Sequence, residues 1–172
     1  IKTYGDVLKR LGWKPKAGES EKDSLLRNIA IRFMGFAEHK ESIQKVLRLL
    51  DDYANGKQLH PDMRSAVFSV AASSDNSVYG RLIRIYERSD SPEEKRQVLG
   101  ALGGFKDPEL LKSALNFAIS KNVRMQEVSL AIAYVSGNPA AREILLDWAG
   151  KNWKKLESYK RSHAIFIHIL ES

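Results

Sequence analysis

Metal binding and acid–base catalysis need histidine, cysteine or carboxylates at defined spacing. The chain has four histidines, His39, His60, His163 and His168, and no cysteine. A helical zinc site of the peptidase kind places two histidines at i and i+4 with a glutamate beside the first, so that both imidazoles share one face. His163 and His168 are five apart, and no glutamate follows His163. They therefore fall on different faces, and packing or surface roles fit them better. His39 lies in the polar turn Glu38-His39-Lys40 and His60 precedes Pro61; neither has a ligand partner close in sequence. No metal site and no cofactor is expected in this chain. The carboxylate pairs Asp51-Asp52 and Glu93-Glu94 are adjacent at helix ends, where solvated capping fits better than a general acid and base at working separation. Without cysteine there is no thiolate ligand, thiol nucleophile or disulfide. G-x-S-x-G, P-loop and G-x-G-x-x-G patterns are all missing. Gly100-Ala101-Leu102-Gly103-Gly104 lies in a segment of helical period and follows no strand, so it reads as close helix packing or as a helix end before Lys106-Asp107-Pro108. No catalytic residue is expected.

Charge and aromatics point the same way. Twenty-eight Lys and Arg against 21 Asp and Glu give a net charge of +7 over 172 residues. The densest basic groups are Lys9-Arg10 with Lys14 and Lys16, and Lys154-Lys155 with Lys160-Arg161; acidic residues interleave almost everywhere else. Scattered charge of this kind reads as solvated helix faces, and no nucleic-acid partner is expected. Trp148 and Trp153 read as packing anchors and Trp13 as cover for the first linker. Trp153 beside Lys154 and Lys155 is a single weak stacking site. No apolar run approaches the roughly 18 residues of a membrane span, and no membrane partner is expected. The lack of cysteine and of N-glycosylation sequons fits a cytoplasmic protein.

The elements that would position these side chains are helical. Apolar residues recur at helical spacing, and no alternating run reads as a strand. Leu25, Leu26, Ile29, Ala30 and Phe33 form one stripe. Ile43, Val46, Leu47 and Leu50 form another, closed by Asn55-Gly56. Further stripes follow through Ala66–Ala71, Leu82–Tyr86, Val98–Leu102, Leu110–Ala118 and Val128–Val135, about ten short helices in all. Asn138 and Pro139 cap and open a helix through Ile144, Leu145 and Trp148, with a break expected at Gly150. His60-Pro61, Ser91-Pro92, Asp107-Pro108 and Asn138-Pro139 share one helix-start signature. Pro61 and Pro92 are 31 residues apart, as are Pro108 and Pro139. A period near 30 implies an all-α fold, a superhelical array of short antiparallel helix pairs of the HEAT or armadillo kind. Linkers are short, so residues 1–172 are expected to form a single helical domain. Ile1 reads as a boundary within a longer chain, and the apolar run Ile165–Leu170 as a helix that needs a partner.

Several segments, in order, resemble one family. Leu11-Gly12-Trp13-Lys14-Pro15 with Gly18-Glu19-Ser20 is similar to an LGW-x-P…GES entry, and Leu25-Leu26-Arg27 to the LLR after it. His60-Pro61-Asp62-Met63-Arg64 with Ala66-Val67 follows. Leu102-Gly103-Gly104-Phe105-Lys106-Asp107-Pro108-Glu109-Leu110-Leu111 resembles LGAFKDPELL. Val123-Arg124-Met125-Gln126-Glu127 resembles a VR-x-QD turn, with Glu127 where aspartate is usual. Gly137-Asn138-Pro139-Ala140-Ala141-Arg142-Glu143 and Trp148…Asn152-Trp153 complete the series. Over roughly residues 8 to 157 the chain resembles the C-terminal helical domain of zinc aminopeptidases of the puromycin-sensitive and tricorn-interacting-factor type.

That resemblance implies a parent metallo-aminopeptidase whose zinc, H-E-x-x-H helix and G-x-M-E-N motif lie in a catalytic domain absent from this sequence. The fragment would be a non-catalytic part of a larger C-terminal domain. It would cap the active-site cavity and control how peptides enter and orient. Its partners would be the parent's catalytic domain and peptide substrates. Arg124 and Gln126, on the turn that faces the cavity in the family, are the expected peptide-contacting residues. The alternative for Arg124 is that it caps the C-terminus of a neighbouring helix. The competing reading of the whole chain is a free-standing helical-repeat binding module for a protein or nucleic acid.

Overall fold

The computed structural model describes residues 2–16, 18–159 and 162–170, with the backbone alone at 162, 163, 168 and 170. The side chains of His163 and His168 thus lie outside the described residues. The order is α1 (Lys2–Leu11), α2 (Glu21–Phe36), α3 (Lys40–Ala54), α4 (Pro61–Ser74), α5 (Tyr79–Arg88), α6 (Pro92–Leu102), α7 (Pro108–Ala118), α8 (Met125–Ser136), α9 (Arg142–Glu157) and α10 (Ser162–Leu170). Short 3-10 turns at Asn76–Val78 and Pro139–Ala141 lead into α5 and α9. The expected all-α class is borne out, and no strand occurs among the described residues. The chain forms two compact units, residues 1–98 and 99–172.

In the first unit, α2 packs on α1, α3 and α4, and α3 on α4 and α5. Capping explains where these helices start. Ser20 Oγ accepts the amide of Asp23 at 3.2 Å. His39 and His60 do the same with their rings, each accepting through Nδ1 from the amides of Ser42 and Asp62. Both histidines are therefore N-caps, each with Nδ1 turned to its own helix. Asn55-Gly56 ends α3 as expected, with Gly56 at φ +91 in the region that only glycine enters without strain.

The face of α2 differs from the expected stripe. Arg27, Ala30, Ile31, Met34 and Gly35 are buried, whereas Leu25 and Phe33 are 62% and 48% exposed. Apolar residues surround most of this helix, so periodicity alone leaves its phase open. A buried ion pair sets it. Arg27 is 0% exposed and meets both oxygens of Glu19 at 2.5 Å. Its remaining donors reach the carbonyls of Gly12 at 2.9 Å and Leu11 at 3.2 Å. One guanidinium thus ties the end of α1 and the loop after it to α2. The family words LGW, GES and LLR meet at this single contact.

In the second unit, α8 packs on α7 and α10, and α9 on α7 and α10. The core here includes Leu111, Leu115, Ile132, Val135, Leu145 and Trp148; each such side chain contributes about 1.5–3 kcal/mol by leaving water. Gly150 does not break α9, contrary to expectation. Glycine inside a helix costs only about 1 kcal/mol against alanine, and buried Trp148, Ala149 and Leu156 on either side outweigh it.

Candidate functional site

The expected contact residues sit at the start of α8, and the local chain dictates their geometry. Val123 is buried, which anchors the turn, and Arg124 takes the N-cap position with extended backbone (φ −65, ψ 138). Met125 and Gln126 follow in the first turn, both on the exposed side. Glu127 comes third, and its amide donates to the Arg124 carbonyl at 2.8 Å. Its side chain turns inward and is 5% exposed, whereas that of Arg124 is 43% exposed.

The two charges meet. Arg124 Nε donates to Glu127 Oε2 at 3.2 Å, and Nη2 donates to Oε1. This bidentate i,i+3 pair fixes the plane of the guanidinium. A carboxylate in the first helical turn is also favoured by the helix dipole. Glu127 therefore has its partner on its own turn, a pairing legible from the spacing but not drawn from it. Chemically, the turn offers an oriented, partly neutralised guanidinium beside an exposed carboxamide. Such groups bind carbonyl and carboxylate oxygens; neither is a nucleophile or a proton shuttle at neutral pH.

The position of α8 rests on Gly103. A Cβ there would lie 2.6 Å from the Tyr134 carbonyl oxygen, so only glycine lets the end of α6 approach the α8 backbone this closely. Asn138 reinforces the arrangement. Its side-chain amide donates to the carbonyls of Gly103 and Phe105, both at 2.8 Å, while its oxygen caps the amide of Ala140 at 3.0 Å. The expected N-cap is thus also a clasp on the loop after α6. Trp148 is the expected anchor, 3% exposed with its indole N–H donated to Asn116 at 2.8 Å. Trp153 remains 47% exposed and stacks on Phe166 with centroids 4.4 Å apart.

A second polar cluster, unforeseen in the sequence, lies in the first unit. Glu94 is buried rather than solvated. It accepts the Tyr53 hydroxyl and faces Arg64 at 3.3 Å. Arg64 and Arg88 lie over the Tyr53 ring, 5.1 and 5.2 Å from its centroid, and Arg88 also donates to the carbonyls of Tyr53 and Ala54 at the end of α3. Burial first, then the bond to Glu94, pushes the Tyr53 hydroxyl up to about 12. The phenol therefore stays protonated, and the cluster serves as a structural joint. Among the described residues, no group of three or more His, Asp or Glu could hold a metal ion. No described helix is long and apolar enough to cross a membrane.

Comparison with known proteins agrees with the geometry. The profile of the ERAP1-like C-terminal domain matches residues 1–172. Aminopeptidase M1 of Arabidopsis thaliana is 33% identical over 152 residues, 84% of this chain and 17% of that protein. Aminopeptidase M1-D of Oryza sativa subsp. japonica is 30% identical over 178 residues, 100% of the chain and 20% of its own length. Aminopeptidase N of Lactobacillus delbrueckii subsp. lactis is 28% identical over 156 residues, 88% of the chain and 18% of the relative. The chain spans about a fifth or less of the length of these curated relatives. The match of the whole chain and the identity to these relatives agree on one assignment: the chain belongs to the ERAP1-like C-terminal domain family, the C-terminal domain of M1 aminopeptidases.

Proposed function

We propose that this chain is the non-catalytic helical part of a zinc aminopeptidase, covering the active-site cavity and governing how peptides reach it. One observation carries the reading: the family profile spans the whole chain while the chain is only a fifth or less of each quoted aminopeptidase. On this reading residues 1–172 belong to one larger C-terminal domain, both compact units included. The described residues of this chain do not fit a zinc site, and the metal belongs to a catalytic domain elsewhere in the parent. Peptides and that catalytic domain are the partners. The absence of cysteine supports a cytoplasmic setting. A free-standing binding module is the weaker reading, because the quoted relatives are all long aminopeptidases.

Arg124 and Gln126 are the proposed peptide contacts. Arg124 has its guanidinium plane set by Glu127 and would donate to peptide carbonyls. Gln126 would pair with a backbone amide or carbonyl beside it. Losing a hydrogen bond from a charged donor costs about 1.5 kcal/mol or more, roughly tenfold in binding. The test is steady-state kinetics of the full parent enzyme with Arg124→Ala and Gln126→Ala. A long peptide should show a KM raised about tenfold by Arg124→Ala, whereas a single-residue chromogenic amide should be unaffected. Equal effects on both substrates, or none on either, would refute the contact role.

A further inference from the structure

In the first unit, two clefts share Trp13 as a lining residue. One has a volume of 680 Å³ and is bordered by Lys2, Lys9, Lys45 and Arg48 against Asp6 and Glu41. The other, of 600 Å³, is bordered by Lys14, Lys57 and Arg64, and no carboxylate lines it among the described residues. Leu8 and Met34 line the first and Leu49, Leu59 and Met63 the second, giving each an apolar floor. Several of the rim cations are already engaged: Lys9 with Asp6, Lys57 with Asp52 and Arg64 with Glu94. Lys2, Lys14 and Lys45 have no acidic partner among the described residues.

We propose that this paired cleft is a docking groove for an acidic polypeptide segment in extended conformation, supplied by a separate molecule. An extended chain alternates its side chains between two faces. Acidic residues on one face would meet the unpaired lysines on the rim, and apolar residues on the other would enter the floor on either side of Trp13. Charge alone admits any polyanion, and the kinds of side chain on the groove favour a peptide over nucleic acid. Guanidinium groups recognise phosphate bidentately, and both arginines on the groove are partly engaged: Arg64 faces Glu94 and the Tyr53 ring, and Arg48 donates through Nε to the Gln44 carbonyl. Single-stranded nucleic acid also needs a series of stacking platforms, whereas Trp13 is half-buried and the Tyr53 ring is covered by Arg64 and Arg88.

The groove is separate from the Arg124 turn, and its test does not use catalysis. The probe is an acetyl-blocked, fluorescein-labelled peptide alternating glutamate with leucine, titrated by anisotropy onto the full parent protein. Saturable binding that weakens with rising ionic strength is expected. The double variant Lys14→Glu/Lys45→Glu, both surface positions, should weaken it by about tenfold or more. Trp13→Phe should weaken it more modestly, and an active-site inhibitor should leave it unchanged. No saturable binding, binding indifferent to the charge reversal, or tighter binding of a single-stranded oligonucleotide would each overturn the proposal. Peptidase assays of the same variants stay free to succeed or fail on their own.

Discussion

Two glycine-to-alanine changes in the second unit should move stability in opposite directions. At Gly103, the new methyl would stand 2.6 Å from the Tyr134 oxygen, 2.7 Å from its carbonyl carbon and 2.9 Å from its Cβ. Ordinary contacts would require about 1 Å more, and the atoms in the way are chiefly main chain in the last turn of α8. Overpacking of this kind costs about 1–3 kcal/mol. For a chain of this size, about 2 kcal/mol lowers Tm by roughly 4–8 °C. At Gly150, nothing lies within 4 Å of the added Cβ, and the site is interior to α9. Alanine there removes backbone freedom from the unfolded chain and should stabilise by about 0.5–1 kcal/mol. The assay is urea unfolding followed by tryptophan fluorescence in a Trp13→Phe background, where Trp148 and Trp153 report on residues 99–172 alone. The midpoint should fall for Gly103→Ala and rise for Gly150→Ala at unchanged m. Tyr134→Phe should not rescue Gly103→Ala, because the obstacle is backbone. A midpoint that does not fall for Gly103→Ala would show that α6 and α8 part freely, and would refute the argument from close approach.

Two further outcomes follow from the polar contacts. Glu19 is held at about 2, below its ordinary 4.5, chiefly by its hydrogen bonds from Arg27. The folded state thus binds that proton less readily than the unfolded chain, so its contribution is complete above pH 4.5 and disappears as pH falls from 4.5 toward 2. Glu19→Gln should flatten that part of the stability profile in acid denaturation followed by circular dichroism. Asn138→Ala removes a helix cap together with the donors to Gly103 and Phe105, and should cost about 2 kcal/mol in the same urea assay.

The helical class, the number of elements and the proline-marked starts were legible because each has a local cause. Pro61, Pro92, Pro108 and Pro139 open helices or turns wherever the chain before them supplies a cap. What escaped was phase and partnership. Apolar residues fall on most sides of α2 from Leu25 onward, so the buried side is decided by Arg27, a charge that sequence patterns assign to solvent. Glu94 was misread for the same reason: its partners Tyr53 and Arg64 are 41 and 30 residues away in sequence. Gly150 was overweighted because a propensity of about 1 kcal/mol loses to the packing of Trp148 and Leu156. The Arg124 turn stands between these cases. Its paired residues, Arg124 and Glu127, are only three apart in sequence, yet the inward turn of Glu127 depends on the packing of α8 and not on spacing alone.

That inward turn shapes what the candidate site would recognise. A guanidinium with a free charge prefers carboxylates, whereas one already paired bidentately offers its remaining N–H groups best to neutral carbonyls. On the proposed reading, Arg124 would grip the peptide backbone and be nearly indifferent to side-chain charge. Glu127→Gln keeps the shape and one acceptor but releases the charge. In the full parent enzyme, the ratio of kcat/KM for an acidic against a neutral peptide of equal length should then rise several-fold, about 1 kcal/mol of new attraction at a half-exposed site. Thermal stability should fall only slightly, since the amide still accepts from Arg124. An unchanged ratio would mean that no peptide passes within reach of this guanidinium, and that the Arg124–Glu127 pair serves the α8 turn alone.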